Sequence, residues 1–343
     1  MIDWVPKKYI NNNLVKKYIE LSSKNNQFTN GGPIVTLLEN FIKNKFKIDD
    51  NKSVIVVNNG TLAIHVLVTA IELFNKKDYN WATQSFTFPP SSQGPLKDVK
   101  ILDIDDGGGL DINEISEDTN AIVVTNIFGN VVDINKYEEY CKKNNLILIF
   151  DNAATSFTFY NGKNCLNYGV GTTISFHHTK PFGFGEGGAI IVDTKYEKTI
   201  RCLCNFGIGY SDTEYFLKQG SNFKMSDISA AYILQYLDNF DEIVKKHKNL
   251  YSYVVRKLKN IEGITLYPNF SSETPFLSCF CLLFDNYDDN IRIKLLDNNI
   301  FCRKYYNPLK KTTKTMEIYN KILCIPCTKD MIENDIDKIF NII

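Results

Sequence analysis

No stretch of this chain approaches the run of about 18 apolar residues that a bilayer-crossing helix needs, and Met1 to Lys8 holds no apolar signal core. Neither a membrane partner nor secretion is expected, and a cytoplasmic setting follows. Charge of one sign is lacking too. Lys plus Arg and Asp plus Glu each number 39, so the formal net charge is zero and no overall field recruits nucleic acid or an anionic surface. A phosphorylated ligand would have to be met by a local cluster of positive groups. Neither an internal repeat nor a low-complexity linker is present. The 9 cysteines are odd in number and scattered through apolar stretches. Cys324-Ile325-Pro326-Cys327 is a lone C-x-x-C without the second pair that zinc requires. Small buried residues account for it more simply, no metal is expected, and a reducing compartment suits the rest.

What is present is an alternation. At 343 residues the chain exceeds a single core, so two packed units are expected. The patterning predicts helices over Val5–Lys24, Pro33–Lys45, Leu62–Phe74 and Tyr137–Asn144. It predicts short β-branched strands over Ser53–Asn58, Ala121–Thr125, Leu146–Phe150, Thr172–Phe176 and Ala189–Val192. Buried strands alternating with helices indicate an α/β layer with a mostly parallel sheet. A long helical stretch runs from Ser226 to Lys259 with a break near Asp238-Asn239. A smaller α+β unit follows, with strands near Ile264–Tyr267 and Leu277–Phe284, a helix near Asn290–Asp297 and a last helix from Lys329. The boundary is placed near 240, giving a large domain 1–240 and a small domain 241–343, with the first 25 or so residues packed on the small one.

Chemistry concentrates after two of the strands. Asp151 closes the apolar run Leu146–Phe150, at the strand end where open α/β sheets place ligands. Lys180 stands in Ser175-Phe176-His177-His178-Thr179-Lys180-Pro181-Phe182-Gly183-Phe184-Gly185-Glu186-Gly187-Gly188, between hydroxyls and a glycine cluster that lets backbone approach a ligand. A lysine amine can hold an aldehyde cofactor as a Schiff base and a carboxylate can keep a pyridine nitrogen protonated, so the pair suits pyridoxal 5'-phosphate. The glycines also satisfy G-x-G-x-x-G. However, the residues after Gly188 form a strand rather than the helix that a dinucleotide fingerprint demands. Asn59-Gly60-Thr61, ending a strand and opening a helix, is an anion seat by virtue of its free N–H groups and helix dipole, although Asn-Gly is also simply a turn. Trp81 to Pro90 offers an aromatic at a strand end able to cover a flat ring, although most such aromatics are merely core.

Order and spacing of these segments resemble the DegT/DnrJ/EryC1/StrS family of sugar-nucleotide aminotransferases, from Gly32-Pro33 nearly to the end. The resemblance implies the fold-type I architecture of aspartate aminotransferase: a mixed, mostly parallel seven-stranded sheet in the large domain and a smaller α+β domain. It implies that Lys180 carries the cofactor and that Asp151 faces the pyridine nitrogen. Gly60, Thr61 and Ser175 would hold the phosphate, and Phe88 would stack on the ring. Asn222, in Gly220–Ser226, matches the residue that reaches the neighbouring subunit's phosphate, which implies a homodimer with shared sites. Lys224 stands where the family has arginine and keeps the charge without the planar fork. Arg303–Leu309 resembles the segment bordering the sugar-nucleotide site, which would put Tyr306 on the substrate side, where Lys224 would also lie. One departure is Ala154, where relatives carry Gln or His beside the ring. That contact is lost or supplied from elsewhere, and a clue to whether C3 or C4 of the sugar is aminated goes with it.

The expected reaction is transamination of a nucleotide-linked keto-deoxysugar, with glutamate as donor and pyridoxamine phosphate as the intermediate cofactor form. A 4-keto-6-deoxyhexose is the preferred acceptor and a 3-keto isomer the alternative. A related sugar dehydratase would carry histidine in place of Lys180. A regulatory protein that merely retained the fold would not need the intact Lys180 and Asp151.

Overall fold

The computed structural model of the chain describes residues 1–211, 215–268 and 275–343. Helices α1 (Asn12–Asn25) and α2 (Pro33–Lys45) precede β1 (Lys52–Val57), α3 (Gly60–Asn75), β2 (Trp81–Gln84), β3 (Lys100–Leu102), β4 (Ala121–Thr125), α4 (Ile134–Asn144) and β5 (Ile147–Asp151). A short hairpin, β6 (Phe159–Tyr160) with β7 (Lys163–Asn164), leads to β8 (Gly171–Ser175), β9 (Gly188–Asp193) and α5 (Glu197–Cys204). Then come α6 (Asp227–Leu237), α7 (Phe240–Leu258), β10 (Ile264–Leu266), β11 (Cys279–Phe284), α8 (Asn290–Asp297), α9 (Thr313–Lys321), β12 (Ile322–Pro326) and α10 (Glu333–Phe340).

The first sheet has 7 strands in the order β1-β9-β8-β5-β4-β2-β3. All pairings are parallel except those of β9, which is antiparallel to both β1 and β8. The side-chain period of two divides each central strand between two cores. In β1, Val54 and Val56 join the core under α2, α4 and α6, whereas Ile55 and Val57 join the one under α3 and α5. In β4, Ile122 and Val124 go one way and Ala121 and Val123 the other. Burial on both faces explains why these strands read as continuous apolar runs. The second sheet, β10-β11-β12, is antiparallel, and its core takes Leu250 and Val254 from α7 and Ile336 and Ile339 from α10.

The first helix begins at Asn12, not Val5. Asn11 caps it by accepting from the Leu14 N–H at 3.2 Å. The residues before it are drawn out by other partners. Ile2 pairs with Ile300, and the Lys7 N–H donates to Asp330 at 2.9 Å. Helix α1 itself packs on α2 and α6. The break after Leu237 falls at Asp238-Asn239 as expected. The last helix starts at Glu333 rather than Lys329, where the Asp335 carboxylate accepts the Ile332 N–H at 3.0 Å. The C-x-x-C is core: Cys324 lies in β12 opposite Cys281, and Cys327 contacts His247 Nδ1 at 3.5 Å. Among the described residues no group of three or more His, Cys, Asp or Glu is placed to hold a metal, and no helix is long and apolar enough to cross a membrane.

Candidate active site

Parallel pairing sets the site. Strand β9 opposes both neighbours, so β1 runs the same way as β8, β5, β4 and β2, and their carboxyl ends share one edge. At that edge lies a cavity of about 640 Å³ that takes in Gly60, Thr61, Phe88, Asp151, Ser175, Lys180 and Tyr306. Seven of the nine expected residues thus meet in one place. Asn222 and Lys224 do not line it. Asn222 is exposed and pairs with Asn205, while the Lys224 ammonium donates to Asn205 Oδ1 at 2.9 Å and lies over the Phe206 ring. Trp81 also lies elsewhere, buried at the start of β2 with its N–H on Glu72 at 2.8 Å.

Asp151 ends β5 and is buried. Its Oδ1 accepts from the Ala153 N–H at 3.0 Å and from Thr173 at 3.4 Å, and its Oδ2 accepts from Ser91 at 3.4 Å. Burial pushes its carboxyl up from the ordinary range, while the Ala153 N–H, the Lys180 charge and the two hydroxyls pull it back. Lys180 shows the converse. Burial draws its ammonium down, and Asp151 and then Cys279 oppose the fall. The lysine sits on the turn that reverses β8 into β9. That turn is closed by Phe176 N–H on Gly187 O (2.8 Å), His178 N–H on Gly185 O (2.8 Å) and Lys180 N–H on His177 O (2.8 Å). A strand follows Gly188, so the glycines do serve a strand-to-strand connection.

The start of α3 faces the same cavity. Asn59 accepts the Leu62 N–H at 2.9 Å, and the first turn of a helix leaves further N–H groups for a ligand. Only glycine fits here. A Cβ on Gly60 would stand 2.9 Å from the Ser175 Cβ, and one on Gly188 2.5 Å from the Asn59 carbonyl. Phe88 is 55% exposed although its neighbour Phe86 is fully buried, so its ring faces the cavity and not the core. Tyr306 stacks on Phe128 with centroids 5.2 Å apart and planes 7° from parallel, and burial drives its phenol far above the ordinary value.

The sequence reading missed Phe128, Trp4 and Cys279, which also line the cavity. Phe128 takes a left-handed φ of 59°, a strained setting for a bulky residue that no sequence pattern reveals. Trp4 arrives through the extended N-terminal segment and meets Tyr305 edge-on at 5.6 Å. Ala154 is buried at the cavity wall and presents only a methyl group there.

An amine and a carboxylate with oppositely displaced proton affinities, beside a glycine-lined helix start and a stacking aromatic, suit the aldehyde, pyridine nitrogen, phosphate and ring of pyridoxal phosphate. Fold and site together define a pyridoxal-phosphate-dependent aminotransferase of fold-type I. The chain belongs to the DegT/DnrJ/EryC1/StrS aminotransferase family, which it matches over residues 10–343. It is 30% identical over 336 residues to dTDP-4-amino-4,6-dideoxy-D-glucose transaminase of Shigella dysenteriae, covering 90% of this chain and 89% of that protein. Two solved structures share the fold. DesI, in the presence of its TDP-sugar product, superposes with a TM-score of 0.85 at 20% identity, covering 99% of this chain and 92% of that one. The Escherichia coli GDP-4-keto-6-deoxy-D-mannose-3-dehydratase with bound hydrated pyridoxal phosphate has a TM-score of 0.85 at 18% identity, covering 100% and 99%.

Proposed function

We propose that the chain transfers an amino group from glutamate to a nucleotide-linked keto-deoxysugar, with a 4-keto-6-deoxyhexose as acceptor. One observation carries this reading: the Lys180 amine and the Asp151 carboxylate open into one cavity with the start of α3. The Shigella relative, named for a 4-amino-4,6-dideoxyglucose product, favours the C4 position. A 3-keto acceptor is the alternative, since Ala154 itself offers no polar group to choose between them.

Pyridoxal phosphate, when bound, supplies an aldehyde for amines and an electron sink. The protein's share is as follows. Lys180 holds the cofactor through its amine, and Gly60, Thr61 and Ser175 take the phosphate. Phe88 covers the ring, and Asp151 keeps the ring nitrogen protonated by remaining ionised beside it. The free Lys180 Nζ would take the proton from the α-carbon of the amino donor. In the second half-reaction it returns a proton to the sugar carbon that receives nitrogen. Burial lowers its proton affinity, which favours the free amine that this transfer needs. Tyr306 and Lys224 lie on the substrate side, Lys224 in the partner's site. Asn222 reaches the partner's phosphate in a homodimer. The exposed side chains of Phe206, Ile208 and Phe216 beside the Asn205–Asn222 pairing support such an interface.

The test is direct. Borohydride should fix the cofactor on Lys180 with loss of its visible absorbance, and Lys180→Ala should show neither. Glutamate and a nucleotide-linked 4-keto-6-deoxyhexose should then turn over with ping-pong kinetics, and NMR of the product should place nitrogen at C4. Nitrogen at C3 would select the alternative. Failure of every keto sugar nucleotide would refute the reading.

A further inference from the structure

Lys8 contributes nothing to the cavity wall, yet it is tied to the turn that carries Lys180. Its ammonium donates to the carbonyls of His178 (2.6 Å), Lys180 (2.8 Å) and Gly183. Three carbonyls for three N–H bonds match the protonated form, because a neutral amine has only two donors. The Tyr236 ring lies 4.8 Å from the same nitrogen. This is no solvated surface lysine: burial pulls its pKa down to about 7, Lys329 adding to the fall and Asp330 opposing it. The backbone on either side is fixed as well. Before it, the Ile2 N–H donates to Asn299 O at 2.9 Å, the Phe301 N–H to Ile2 O at 3.0 Å, and the Lys7 N–H to Asp330 at 2.9 Å. After it, the Asn11 N–H donates to Gln235 Oε1 at 3.0 Å. Lys8 is therefore held from both ends at one point behind the turn.

We infer that Lys8 is a positioning residue: by gripping the carbonyls of His178, Lys180 and Gly183 from behind, it fixes the backbone from which Lys180 enters the cavity. The inference rests on the proposed role of Lys180 as the cofactor-bearing lysine. A turn between antiparallel strands holds itself by a few local hydrogen bonds and opens easily. Below about pH 7, where the amine is protonated, three charge-assisted bonds to a buried cation oppose that opening. Displacing an amine by about 1 Å can cost two orders of magnitude in rate, so a turn that wanders slows every step in which the amine must meet a carbon or an aldehyde.

The experiment compares the full chain with its Lys8→Met variant, which retains the aliphatic stem and loses the charge. Hydrogen exchange is followed by mass spectrometry before any cofactor is added. Amides of residues 178–184 should exchange about tenfold faster in the variant, while those of β4 should not change. Unaltered exchange in 178–184 overturns the clamp. Should Lys8→Met fail to fold, Lys8→Gln is measured in its place. A rise confined to the turn supports the clamp, and no rise or a rise spread evenly over the chain overturns it. Pyridoxal phosphate is then added and borohydride given at timed intervals. The variant that folds should fix cofactor on the 176–188 peptide about tenfold more slowly than the parent, and equal rates overturn the positioning role. If the parent itself fixes none on Lys180, the proposed function fails, and the exchange result still reports on the clamp alone.

Discussion

In its proposed role Asp151 has to stay charged where burial disfavours charge, and its neighbours oppose that effect of burial. The Ala153 N–H, the Lys180 ammonium, Thr173 and Ser91 all favour the ionised form. The Asp151→Asn variant keeps the shape and loses the charge. It should bind pyridoxal phosphate within a few-fold of the parent, while kcat falls by about 10²–10³, the cost of removing one preorganised electrostatic partner. A steady-state assay with an absorbance titration of the cofactor checks both. Phe88 predicts the opposite split. Phe88→Ala should lose about 1 kcal/mol of stacking, weakening cofactor binding roughly fivefold, and leave proton transfer by Lys180 largely intact. A kcat loss larger than the affinity loss would remove Phe88 from the ring face. Asp151 was legible in the sequence at the end of an apolar strand, and Phe88 through the family resemblance alone. Phe128 and Trp4 were not, since one depends on a left-handed backbone and the other on a segment drawn from far away in the chain.

Elements are held at the site by side chains that no periodicity announces. Asp103, after β3, grips the start of α9. It accepts from Thr312 Oγ1 at 2.6 Å, the Lys314 N–H at 2.7 Å and the Thr315 N–H at 2.9 Å. Next to it, the Leu309 N–H donates to Ser85 O at 2.8 Å, which brings the 303–309 segment and Tyr306 against the large sheet. Burial alone would raise the Asp103 carboxyl, but these donors and the Ile104 N–H outweigh it and hold the pKa at about 2. A carboxyl depressed in the fold contributes its stability fully above the unfolded value of about 4 and loses it as pH falls through about 2. Asp103→Ala should therefore cost about 1–2 kcal/mol at pH 7, with the gap from the parent closing between about pH 4 and pH 2. Chemical denaturation at several pH values reads it, and a gap independent of pH would show that the charge is not what stabilises. Helix α9 and strand β12 escaped the sequence reading. Polar Lys and Thr residues around Thr313–Lys321 mask the helical stripe, and β12 is a short apolar run containing Pro326. Strands β5 and β9 were legible because burial on both faces leaves mostly apolar types, and β8 because Thr172, Thr173 and Ile174 are β-branched.

For the whole molecule, we propose that the large domain ends near 240, at the break between α6 and α7, with the short α7–α10 and β10–β12 unit beyond it. The N-terminal segment belongs to neither side alone: Ile2 pairs with Ile300, whereas α1 packs on α2 and α6. This split was not legible, because the predicted helix from Val5 hid the extended stretch. The proposed sharing of sites between subunits leads to a sharper expectation. Lys180 lines its own cavity, but Asn222 lies outside it and exposed. If Asn222 serves the partner's phosphate, Lys180→Ala and Asn222→Asp damage different sites of a mixed dimer. In such a dimer one site carries both defects and the other carries neither. The two inactive variants, unfolded together and refolded as an equal mixture, should thus regain about a quarter of parental activity, since about half the dimers are mixed and each has one intact site. Each variant refolded alone should stay inactive. If Asn222 acted within its own chain, every site in the mixture would carry one defect and no activity would return. Sedimentation of the refolded mixture must show dimers for either result to count, and monomers that retain full activity in the parent would refute the shared site outright.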